Sequence, residues 1–116
     1  MDQEPTYYNN SINKNRYLHT FDIKIEAARN LNNQNISSSD FIFIAETLDQ
    51  IYHKTTSGDY QAAIIEIQEL IKYLKIVARE LHQGSGVRVL TEALITLLDS
   101  IIMVLINLEI TENKID

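Results

Sequence analysis

Residues 87–108, VRVLTEALITLLDSIIMVLINL, decide the fold. Val87, Leu90, Leu94, Leu97, Ile101, Val104 and Leu108 repeat at alternating three- and four-residue steps, which makes one unbroken apolar seam at helical period. Ala93, Leu98, Ile102 and Leu105 lie beside the seam, and Ile95, Met103 and Ile106 lie beyond these. Only Arg88, Glu92, Thr96, Asp99, Ser100 and Asn107 are left to face water. A helix apolar on most of its circumference has to be buried on most of it. In so short a chain the cover comes from neighbouring helices, from a second copy, or from a partner segment lying in a groove.

The rest of the chain supplies such neighbours. Tyr60, Ala63, Ile64, Ile67, Leu70, Ile71, Leu74, Val77, Ala78 and Leu81 form the apolar face of a second long helix, with Asp59 placed to cap it. Gly84-Ser85-Gly86 separates the two, and a connection this short folds the last helix back antiparallel. Upstream, Phe41, Ile44, Ala45, Leu48, Ile51 and Tyr52 fit a helix that starts after Ser37-Ser38-Ser39-Asp40 and closes at Thr55-Thr56-Ser57-Gly58. Phe41-Ile42-Phe43-Ile44 alone also reads as a short strand, but the helical spacing continues through Leu48. Leu18, Phe21, Ile25, Ala28 and Leu31 give the first helix its face, and Asn32-Asn33-Gln34-Asn35 ends it. Residues 1–14 are polar, rich in asparagine and hold the one proline, so they read as a flexible arm unless Tyr7, Tyr8 and Ile12 dock. The expectation is all-α: an antiparallel four-helix bundle over residues 15–116, with a three-helix core and a mobile N-terminal arm as the alternative.

Composition narrows the function classes. One domain of 116 residues, 45% hydrophobic and 22% charged, is an ordinary globular chain. A net charge of −6 with ten thinly spread basic residues argues against nucleic acid, whose binding rests on Lys and Arg displacing counterions. No cysteine is present, so disulfides, thiolate zinc sites and cysteine nucleophiles are excluded. The N-terminus lacks a basic start followed by an apolar run, and a cytoplasmic location is the expectation. Residues 93–110 are the one candidate membrane span. They are short and carry Asp99 near the middle, at about 2.5–3.5 kcal/mol on insertion scales, so a core helix is the expectation and no membrane span.

Motifs that carry chemistry are sparse, and neither a cofactor nor a metal is expected. His19, His53 and His82 fall on different elements, with no Glu-x-x-His pair. Gly84-Ser85-Gly86-Val87-Arg88 lacks the lysine and hydroxyl of a phosphate loop. Glu46 with Asp49 and Glu66 with Glu69 share helix sides, and such carboxylate pairs suit a divalent cation or acid–base work. A small metal-binding or enzymatic bundle built on them is the rival reading. Asp99 fits the narrow polar stripe of the last helix and is expected in solvent. The string Ser57-Gly58-Asp59-Tyr60-Gln61-Ala62-Ala63-Ile64 resembles a tetratricopeptide turn, but it occurs once, and an ordinary helical hairpin suffices.

Two stretches resemble the flagellin export chaperone family: Tyr7-Tyr8-Asn9-Asn10-Ser11-Ile12-Asn13, and the run from Gly58-Asp59-Tyr60 through Ile67-Gln68-Glu69-Leu70-Ile71 to Leu97, Leu98, Ile101 and Leu105. That family's opening Ser/Thr-Pro-x-Glu-Leu is only Ser38-Ser39-Asp40-Phe41 here, and its Leu-Tyr-Asp-Gly string is absent. The resemblance implies a four-helix bundle that holds a disordered protein segment on its last two helices, with the tyrosine arm over that groove. The functional expectation is a non-enzymatic interaction module. It binds a protein partner or a second copy through Tyr7, Tyr8, Ile95, Met103, Ile106 and Ile110.

Overall fold

The computed structural model describes residues 6–34 and 40–115, with side chains from Ile12 to Gln34 and from Asp40 to Asn113. Four helices make up the described chain: α1 (Thr6–Asn33), α2 (Phe41–Thr56), α3 (Tyr60–Glu80) and α4 (Gly86–Ile115). Each packs mainly on its neighbours around a ring, α1 on α2 and α4, and α3 on α2 and α4. This is the antiparallel four-helix bundle that the apolar spacing predicts.

The helix ends follow local chemistry. Gly58 adopts φ 88°, and its turn lets the amide of Asp59 donate to the Lys54 carbonyl at 2.8 Å, which ends α2. The Asp59 carboxylate then accepts from the Ala62 amide and starts α3, as the sequence predicts. At α4, Ser85 Oγ accepts from the Arg88 amide at 3.1 Å, directly after Gly84 with φ 85°. Asp40 precedes α2 as expected, but its carboxylate caps no amide and accepts a hydrogen bond from the Tyr73 hydroxyl of α3 instead. Ser37, Ser38 and Ser39 lie outside the described residues.

Phe21, Ile25 and Ala28 of α1 meet Ile44, Leu48 and Ile51 of α2, Ile67, Leu70 and Leu74 of α3, and Leu94, Leu98 and Ile101 of α4 in one core. The buried arc of α4 is rotated slightly from the predicted seam. Leu98 and Leu105 are fully buried, and Leu97 is only half-buried. The reason is that α4 has a helix on each flank, so its core face centres between them.

The N-terminal boundary differs from expectation. A flexible arm is predicted over residues 1–14, but the backbone is helical from Thr6. The last turns of α4 reach Ile115 and run antiparallel to α1, where Lys14 Nζ lies 2.9 Å from Glu112 Oε1. Propensity is a weak guide to a helix end, and here Lys14 joins this part of α1 to α4. Residues 1–5 lie outside the described residues, as do the side chains of Tyr7 and Tyr8.

Candidate functional site

The outward face of α4 changes character along its length. Val89, Glu92, Thr96 and Asp99 occupy it in the first half, three of the four polar or charged, and Asp99 is exposed as predicted. In the second half Met103, Ile106 and Ile110 stand out at four- and three-residue steps, exposed by 59%, 38% and 48%. Among the described residues, neither flanking helix covers them. Lys24 of α1 donates to Ser100 Oγ at 3.1 Å on one edge of α4, and Ile95 faces Ala78 and Lys75 of α3 on the other. Ile95 is half-buried against the core, so the expected set divides. Three members form an exposed stripe, one sits in a groove, and the side chains of Tyr7 and Tyr8 lie outside the described residues.

That groove, between α3 and α4 near their connection, encloses about 350 Å³ and is lined by Lys75, Ala78, Arg79, Arg88, Glu92 and Ile95 among others. Arg88 is held there, its guanidinium donating to the Leu81 carbonyl at 3.2 Å and lying 3.5 Å from Glu92. Across α3, a groove of about 360 Å³ against α2 is acidic, with Glu46, Glu66 and Glu69 around Phe43 and Tyr73. The two rings meet at 4.9 Å.

Of the four carboxylates in the rival reading, Glu46, Glu66 and Glu69 line that one groove, but the set does not close into a ligand cluster. Asp49 turns to the other side of α2 and accepts from Arg29 at 3.1 Å, Glu66 pairs with Lys54, and Glu69 lies 3.4 Å from Lys72. Among the described residues, no group of three or more His, Asp or Glu side chains is arranged to hold a metal ion.

One polar cluster escapes the sequence reading. At the end of the bundle where α3 begins, Tyr60 is buried and its hydroxyl donates to Glu112 Oε1 at 3.2 Å, while Lys14 donates to Oε2 at 3.2 Å. Burial first, and the Glu112 charge second, push the Tyr60 phenol up to about 12. The hydrogen bond from Lys14 holds Glu112 below the usual carboxylate range. Lys14, Tyr60 and Glu112 come from three helices and share no sequence spacing. The basic groove escapes it as well: the ten basic residues are thinly spread along the chain, and Lys75, Arg79 and Arg88 converge only because α4 folds back against α3.

By length and composition α4 also meets the requirement for a membrane span, with a window of mean hydropathy 2.2, about a third of it buried in the bundle. No family model matches the chain, and no curated protein or solved structure matches it.

Proposed function

We propose that this protein is a non-enzymatic interaction module whose α4 stripe, Met103, Ile106 and Ile110, receives the apolar side of a partner helix or disordered segment. The observation that carries the reading is three large aliphatic side chains, exposed at helical spacing on one helix face, while the same helix completes the core behind them. Anchors at such spacing are what a helix-in-groove partner uses, and contiguous exposed apolar surface marks interaction sites. An export chaperone of the flagellin type is the most concrete form of this reading, and the resemblances around Tyr7 and Gly58 support it. A cytoplasmic location, no membrane span and no nucleic-acid partner belong to the same proposal, supported by exposed Asp99 midway along α4 and by the net charge of −6.

The test combines two measurements on the purified chain. Sedimentation over a wide concentration range reads self-association. Titration with a peptide carrying leucine at i, i+3 and i+7 reads partner binding, through amide shifts at residues 103–110. Met103→Glu with Ile106→Glu should abolish whichever signal is present and leave the helical melt intact. Absence of both signals in the unsubstituted protein sinks the reading.

A further inference from the structure

In a chain with net charge −6, three of the ten basic residues line the one α3–α4 groove against a single acid, Glu92. The other described clefts carry no such excess; the α2–α3 groove holds three carboxylates and no base. Helix-end electrostatics explain part of this: Arg79 lies in the last turn of α3, where a cation is favoured, and Arg88 ties down the Leu81 carbonyl. They do not explain Lys75, a turn further in, nor the space beside it. Ala78, with its small side chain, and Ile95 give that space its apolar lining. Lys75 and Arg79 are exposed and make no ion pair among the described residues. Arg88 is fixed by its two contacts, so its remaining donors are oriented before any ligand arrives.

We propose that this groove recognises a carboxylate presented beside an apolar side chain, as an acidic peptide segment presents it. Arg79 and Lys75 meet the carboxylate, Arg88 supplies fixed donors, and Ala78 with Ile95 accepts the neighbouring apolar group. A guanidinium pairs with a carboxylate through two parallel hydrogen bonds, and an open cleft of this size holds one or two side chains. The site is separate from the Met103–Ile110 stripe and does not depend on it.

The overall charge makes the test selective, because an anionic peptide is repelled by the molecule as a whole and gains only where the local field reverses. A capped hexapeptide with two glutamates between two leucines is titrated into the full chain by NMR, beside the same peptide with glutamines. Shifts are expected at residues 75–79 and 88–96, with the glutamine peptide at least about fivefold weaker. Arg79→Gln should weaken the glutamate peptide about tenfold, the size of one charge-assisted hydrogen bond, and Lys75→Gln by a few-fold. Both residues are exposed, so the melting temperature serves as a folding control. Equal binding of the two peptides, shifts centred elsewhere, or none at millimolar peptide overturns the proposal. So does sodium phosphate that matches the peptide's affinity at equal ionic strength, since the groove would then read bare charge.

Discussion

The two halves of α4 share one inward face and present two unlike outward ones. From Arg88 to Asp99 the outer side is mostly charged and polar, with Val89 the one large aliphatic exposed there, and it borders a basic groove; from Met103 to Ile110 it is aliphatic. The inward side runs without a break through Leu94, Leu98, Ile101, Leu105 and Leu108, all fully buried. A single helix can therefore complete a core and still carry two separate surfaces, because packing consumes only the arc between its two neighbours.

The strongest way to break this comparison is to attack the shared face. Leu98→Ala and Ile101→Ala each remove a fully buried aliphatic side chain and should cost about 2–5 kcal/mol. Leu97→Ala should cost less, because that residue is half-buried. Chemical denaturation checks the order, and a Leu97 variant as damaging as Ile101→Ala would mean that the core face of α4 is misplaced.

The tie at the end of the bundle should show itself through pH. Glu112 is held low in the folded state, so its contribution is present above the ordinary carboxylate range and fades as pH falls through the folded value. Tyr60 is pushed up to about 12, so its contribution is complete below the ordinary phenol range, near 10, and fades as pH rises towards about 12. Glu112→Gln should flatten the acid side of the stability–pH curve, and Tyr60→Phe the alkaline side. A curve unchanged by Glu112→Gln would show that Lys14 and Glu112 do not hold the end of α1.

Outward substitutions should have the smallest effects on stability and so sharpen the contrast between the halves. Ile106→Glu should change stability by under about 1 kcal/mol while removing the partner signal. Asp99→Asn, on the exposed polar half, should shift stability by under about 0.5 kcal/mol and leave both binding signals untouched. A large loss on Asp99→Asn would reveal a buried partner for that carboxylate.

The helices were legible because each is written in local terms: apolar side chains at period 3.6, Asp59 as a cap, and Gly58 and Gly84 where the backbone needs positive φ. The antiparallel pairing of α3 and α4 was legible for the same reason, since a five-residue connection leaves no other arrangement. What distance along the chain hides was not. The backbone is helical from Thr6, where propensity alone read residues 1–14 as an arm, and Lys14 of that stretch meets Glu112 of α4 about a hundred residues away. The Lys14–Glu112–Tyr60 cluster, the turning of Asp49 to Arg29, and the diversion of Asp40 to Tyr73 all join side chains from different helices.

The sequence by itself determined the class of fold, the order and ends of most elements, and the surplus of apolar residues on the last helix, because spacing and turn chemistry act over a few residues. The tertiary structure alone decided which part of that surplus is core, which lines a basic groove and which stays exposed. That division depends on the angle at which α1 and α3 approach α4, and the angle is set by packing around the whole ring of helices.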